Sequence, residues 1–307
     1  MINLEDTTAL PSVVTIGTFD GVHIGHQKII ERLISVGKKK KLRSVILTFF
    51  PHPRMVLQPD FQLKLLHTIN ERKRMLKNFG LDHLEIKPFT KAFSNLSAQE
   101  YVNQILVEEL NTKHVIIGYD HHFGKNRSAN IEDLRDFGHI FDFEVDEISA
   151  QDIEEVAVSS TKIRQALLDG DLKTANTYLG YSYFLTGKVI QGKGLGKTIA
   201  FPTANIHIQE DYKLIPKSGV YVVSSNINGN SVNGMMNIGT NPTVNDGNQQ
   251  SIEVNFFDFD ENLYGKELVI DVHHRLRDEV KFNSLEALTS QLKIDKTAAK
   301  SFISSHA

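Results

Sequence analysis

Two textures constrain this chain more than its composition does: strands alternate with helices up to about residue 180, and short strands dominate after it. VVTIG, Val13 to Gly17, reads as a buried strand. His26 to Ser35 follows with Ile29, Ile30, Leu33 and Ile34 at helical spacing. SVILTFF, Ser44 to Phe50, is a second strand, stopped by Pro51 and Pro53. Helical patterns return at Asn70–Phe79 and Ala98–Leu110, and strands fit His83–Ile86, His114–Gly118 and Phe143–Ile148. Such alternation predicts a Rossmann-like α/β domain, a parallel sheet with helices on both faces. Ligands then belong at the carboxyl ends of the strands.

A helix over Thr161–Leu168 and a short helical stretch to Leu179 end the first half. From about Tyr183 come FLTGKVI, GVYVVSSNI, SVNGMMNIG, SIEVNFFDF and ELVIDVHHRL, with turn signals at Asn228-Gly229 and Asp246-Gly247. Several antiparallel strands at this spacing predict a small β-barrel or sandwich. A helical tail follows from Ser284 to about Ser304, with Leu285, Leu288 and Leu292 on one face. The expected division is 1–182 and 183–307.

The 307 residues suffice for two domains, and a formal charge of −3 gives no bulk attraction for nucleic acid or an anionic membrane. There is no cysteine, which excludes disulfides, thiolate nucleophiles and Cys-type zinc sites. No run has the length of a membrane span, and residues 1–12 lack a signal-peptide pattern. A cytoplasmic protein without nucleic-acid or membrane partners is expected; the sequence assigns no oligomeric state.

GTFDGVHIGH, Gly17 to His26, lies where the first strand gives way to the first helix. Its glycines at 17, 21 and 25 do not have dinucleotide-fold spacing. His23 and His26 share one side of a helix's first turn. Gly25 bares the backbone, and the helix start attracts an anion. Gly17, Phe19 and Gly25 are therefore expected in a polyphosphate site, against the plainer reading of a helix cap with two partly exposed histidines. Further loops end other strands. TFFPHPR supplies His52 and Arg54, GYDHHFGKNR supplies Asp120 and Phe123, and SSTKIR supplies Ser160, Thr161 and Arg164. Each alone reads as an ordinary loop, or as a cap at Ser160 or Thr161.

GKGLGKTIAFPTAN, Gly192 to Asn205, imitates a phosphate loop without being one. The first glycine would have to stand at 191, where Gln191 is found, and a strand-like IAFPTANI follows instead of a helix. A glycine-rich flap fits better, with Gly192, Lys193, Gly194, Gly196 and Lys197 able to approach phosphates; a flexible hairpin with solvated lysines is the alternative. In SIEVNFF the alternation turns Glu253 away from Ile252 and Val254, which alone reads as a solvated strand carboxylate. Asp258 and Asp260 read as a solvated hairpin, Phe256, Phe257 and Phe259 as packing, and Lys38 to Lys41 as a solvated helix end. His273-His274 falls in the last barrel strand. Arg275 and Arg277 either border a ligand or line the surface.

GTFDGVHIGH, TFFPHPR, GYDHHFG and SSTKIR together resemble the FMN adenylyltransferase module of bacterial FAD synthetases, an HxGH nucleotidyltransferase. GKVIQGKGLGKTIAFPTANI, GVYVV, GMMNIGTNPTV, SIEVNFFDFD and NLYGKEL resemble riboflavin kinase. The family often has Phe at His121 and Gly at Ala200. The resemblance implies a bifunctional enzyme that makes FMN from riboflavin and ATP, then FAD and pyrophosphate from FMN and ATP. It implies Mg²⁺ held by Thr203 and Asn205, and Glu253 as the base for the riboflavin hydroxyl. His23 and His26 would steady the leaving group and Arg164, Ser160 and Thr161 the phosphates. Asp120 would contact the nucleotide, and His52, Arg54, Phe123, Arg275 and Arg277 would border the flavin.

Overall fold

The computed structural model describes residues 10–58, 60–118, 121–148, 158–192, 199, 201–242 and 248–306. The chain divides into two compact units, Met1–Ser160 and Thr161–Ala307.

The first unit is built on five parallel strands: β1 (Ser12–Ile16), β2 (Arg43–Phe49), β3 (His83–Lys87), β4 (Thr112–Gly118) and β5 (Glu144–Ile148). Their order is β3-β2-β1-β4-β5, so the direction of winding reverses between β1 and β4. Alternate residues feed two apolar layers. Val13, Ile46 and Ile116 pack with Ile30 and Leu33 of helix α1 (Ile24–Lys40) and Leu76 of α3 (Ile69–Asn78). Val14, Val45, Leu47 and Val115 pack on the other side with Ile105, Leu106 and Leu134. Helices thus cover both faces, as strands buried on both sides require. The short helix α2 (Pro53–Leu57) follows β2.

The pattern over Ala98–Leu110 resolves into a short α-helix, α4 (Ala98–Tyr101), running into a π-helical segment over Val102–Glu109. Its wider turns show in the bond from Leu110 N–H to Ile105 O, 3.1 Å. Helix α5 (Ile131–Phe141) has a reciprocal cap between Asn130 and Asp133.

In the second unit, α6 (Ser160–Asp169, from Thr161 onward) and α7 (Leu172–Leu179) precede a closed barrel. Asn176 of α7 donates to Val272 O, 3.0 Å, and accepts from Tyr183 N–H, 2.8 Å. The barrel strands are β6 (Tyr183–Ile190), β7 (Ala204–His207), β8 (Gly219–Ile227), β9 (Asn230–Pro242), β10 (Asn248–Phe256) and β11 (Glu267–Arg277). Their closed order is β10-β7-β6-β11-β8-β9, with antiparallel pairing throughout. Asn228 and Gly229 both have positive φ, 54° and 86°, as the tight β8–β9 turn requires.

The last helix, α8 (Leu285–Ser305), lays Leu292, Ala299, Phe302 and Ile303 over Phe201, Val222, Met235 and Phe257. Leu285 does not join the face expected from its spacing: at 58% exposure it projects from the helix's first turn into solvent.

Candidate active sites

In the first unit, the loop after β1 sits at the reversal of strand order, where α/β sheets open a crevice. Gly17 N–H bonds Leu47 O at 3.1 Å, and Thr48 Oγ1 reaches Thr18 O at 3.4 Å, fastening the loop to β2. Phe19 and Val22 take positive φ, 46° and 36°, and both are buried. A β-branched residue in that region is strained and needs surrounding contacts to hold it. Asp20 supplies them. Its carboxylate accepts Leu66 N–H at 3.0 Å and His67 N–H at 3.2 Å, and Arg72 Nη2 stands 3.6 Å away. Arg72 also donates to Thr18 O at 2.6 Å. Asp20 and Arg72 are buried, and neither was singled out in the sequence: nothing in INERKRML marks its first arginine as interior.

His23 caps α1: its Nδ1 accepts His26 N–H at 3.4 Å. The two rings stack with centroids 3.7 Å apart, and Phe19 lies 5.0 Å from the His26 ring. A Cβ on Gly25 would press against the His23 ring, so glycine keeps the first turn thin. The Ile24 and Gly25 amides have no acceptor within the helix. Burial, then the neighbouring His23 and Arg72, lowers the pKa of His26 well below its ordinary value. The ring is therefore neutral near pH 7, and its buried Nδ1 has no hydrogen-bond partner among the described residues.

Ser160 does not act as a side-chain cap: its hydroxyl donates to Asp20 O at 2.8 Å. Thr161 is exposed and Arg164 half-buried in α6. His52 caps α2 by accepting Arg54 N–H at 3.1 Å, while Arg54 is exposed. Phe123 is buried, with Tyr101 5.8 Å and His121 6.1 Å from its ring. Asp120 lies outside the described residues.

The second unit contains a cavity of about 580 Å³ lined by Thr203, Asn205, Asn237, Glu253, Asn255 and Arg277, among others. Strand register explains this grouping. Arg277 pairs with Val220, Val220 with Asn237, Asn237 with Glu253, and Glu253 with Asn205. Paired residues share a face, so one transverse row crosses five strands and lines the cavity. Thr203 Oγ1 donates to Glu253 Oε2 at 3.1 Å. Asn255, 6% exposed, donates to Pro202 O at 2.7 Å. The polar side of β10 therefore faces this cavity, and Glu253 is not the solvated strand carboxylate its pattern alone suggests. A methyl group on Gly192 would overlap the Asn205 amide. Lys193, Gly194, Gly196 and Lys197 lie outside the described residues.

Arg275 and Arg277 part company. Arg275 donates to Ser218 O at 2.7 Å and Asp278 Oδ1 at 2.6 Å, and does not line the cavity. Arg277 does line it. Phe256 and Phe257 are buried as packing, and Asp258 pairs with Lys300 at 3.0 Å. The oxygen donors of Thr203, Asn205 and Glu253 suit a hard cation such as Mg²⁺.

Comparison with known proteins agrees with both halves. A family profile described as FAD synthetase matches residues 5–162, and one described as riboflavin kinase matches residues 179–303. The bifunctional riboflavin kinase/FMN adenylyltransferase of Listeria monocytogenes is 39% identical, covering 98% of this chain and 95% of the relative. That of Bacillus subtilis is 37% identical, covering 95% and 93%. A solved structure from Streptococcus pneumoniae, titled a macrolide-efflux protein, superposes with a TM-score of 0.86 at 35% identity, covering 95% of each chain.

Proposed function

We propose how two sites divide the work in a chain that belongs to the family of bifunctional riboflavin kinase/FMN adenylyltransferases. Its activities are phosphorylation of riboflavin to FMN and adenylylation of FMN to FAD. We assign the kinase to 183–307 and the adenylyltransferase to 1–182.

In the kinase, Glu253 takes the proton of the riboflavin 5′-hydroxyl as its oxygen attacks the γ-phosphorus of ATP. The bond to ADP breaks, and ADP leaves. Thr203 and Asn205 would hold Mg²⁺, which would neutralise charge on the ATP phosphates. Gly192, Lys193 and Lys197 contribute to binding the ATP phosphates. The Thr203–Glu253 contact, inside a cavity large enough for a flavin, is the observation that carries this reading.

In the adenylyltransferase, the FMN phosphate attacks the α-phosphorus of ATP and pyrophosphate leaves. An ionised phosphate needs no base, so donors matter more than carboxylates. His23, His26 and the amides at the start of α1 stabilise the leaving pyrophosphate. SSTKIR supplies further phosphate contacts, and its Ser160 hydroxyl donates to Asp20 O beside the histidine loop. Both steps consume ATP, and we place the enzyme in the cytoplasm, where ATP and flavins meet.

Incubating the whole chain with riboflavin and MgATP and separating the products tests the reading. FMN, then FAD, with ADP and pyrophosphate, are expected; release of neither ADP nor pyrophosphate overturns it.

A further inference from the structure

Asp295 of α8 is 3% exposed and grips Arg277 with both oxygens, Nε to Oδ1 at 2.9 Å and Nη2 to Oδ2 at 2.6 Å. Gln291, one turn earlier, donates to Oδ1 at 2.9 Å. Arg277 Nη1 donates to Asp278 O at 2.9 Å. Such a pair is a poor way merely to dock a helix, because apolar residues of similar volume often serve as well or better. Helix α8 already docks through Leu292, Ala299, Phe302 and Ile303. What the pair adds is orientation. A guanidinium has five N–H groups; Asp295 and Asp278 engage three, leaving one on each terminal nitrogen uncommitted among the described residues.

Those two groups belong to a side chain that lines the cavity in the same transverse row as Glu253. Three strand spacings separate Arg277 from Glu253, about 14 Å along the wall. Between them the row carries Val220 and Asn237, with Met236 beside them, and Val280 and Phe282 flank the Arg277 end. A substrate whose hydroxyl meets Glu253 presents its far end to Arg277. The far end of riboflavin is a flat pyrimidinedione with two carbonyl oxygens, which a planar donor fork can read. We propose that Asp295 is a positioning residue: it aims Arg277 at the carbonyl edge of the flavin ring, so the C-terminal helix helps select the substrate. This rests on the kinase reading above.

Quenching of riboflavin fluorescence by the full chain, with MgADP present, tests it without turnover. Asp295→Asn should weaken riboflavin binding about tenfold, the loss of a charge-assisted contact, while a melting transition of the second unit close to wild type reports intact folding. Arg277→Lys keeps the charge and a partner for Asp295 but loses the fork, and should weaken binding similarly. The reciprocal Arg277→Asp, Asp295→Arg chain should recover the wild-type melting temperature without recovering affinity. Recovery of both, or wild-type affinity in Asp295→Asn, overturns the proposal. If Asp295→Asn fails to fold, Arg277→Lys decides, and unchanged affinity there overturns it. Wild-type chain that binds no riboflavin defeats the kinase reading itself.

Discussion

The His23 ring lies nearly flat on His26, planes 17° apart, and accepts that residue's backbone N–H. Burial is the main influence against a charge on His26, and the neighbouring His23 and Arg72 add to it. The folded chain therefore keeps His26 neutral where the unfolded chain, with an ordinary pKa of 6.5, takes up a proton. Below that pH the unfolded state binds more protons, so this contribution is full above 6.5 and is lost as pH falls toward the folded value. A proton NMR titration should show the His26 ring unshifted from about pH 8 to about pH 6. Adding ATP should move its midpoint upward, because phosphate favours the charged ring. A midpoint at 6.5 without nucleotide refutes the account.

His26→Ala should lower FAD formation from supplied FMN by about 100-fold or more, the scale of a lost transition-state donor, and leave FMN formation intact. Glu253→Ala should do the reverse, lowering FMN formation by about 100- to 10,000-fold while FAD formation from supplied FMN persists. Product ratios from one chromatographic assay check both. A parallel fall of the two activities in either variant, with folding intact, defeats the separation of sites.

The placement of His26 was legible in the residues themselves, and the reason is physical; Glu253 was singled out only by the resemblance. GTFDGVHIGH is local: one strand, one turn and one helix start place both histidines without help from distant chain. Period-two alternation likewise gave the side of β10 that holds Glu253, but not what that side faces. The segment after β11 and the start of α8 decide that, since Val280, Phe282, Leu288 and Leu292 enclose the cavity over Glu253 and Asn255. Asp20–Arg72 and Arg277–Asp295 were illegible because each joins elements whose approach only the tertiary fold fixes. The bond from the Ser160 hydroxyl to Asp20 O was illegible for the same reason, since the two residues are remote in sequence.

Arg72→Ala should destabilise the first unit by about 3–5 kcal/mol, the usual result of stripping a buried charge of its partner. Both side chains are 1% exposed, so solvent cannot substitute for the guanidinium. The loop holding Phe19 and Val22 at positive φ also loses the bond to Thr18 O. FAD formation should fall with stability, and FMN formation should persist. Denaturant melts followed beside both activities check this; an unchanged melt refutes it.

Gly192→Ala tests the kinase site through space alone. The added methyl has nowhere to go except into the Asn205 amide. Asn205 sits in register with Glu253 across β7 and β10, so moving it displaces a proposed Mg²⁺ holder beside the proposed base. Chemistry that depends on placement is sensitive to a shift of about 1 Å, which can lower a rate about 100-fold. The fold has less reason to respond, because Gly192 stands outside the barrel strands. FMN formation should therefore drop at least about tenfold, with a weaker response to Mg²⁺, while melting and FAD formation from supplied FMN stay close to wild type. Full kinase activity in Gly192→Ala would show that Asn205 can move without consequence, and would remove it as a proposed Mg²⁺ holder.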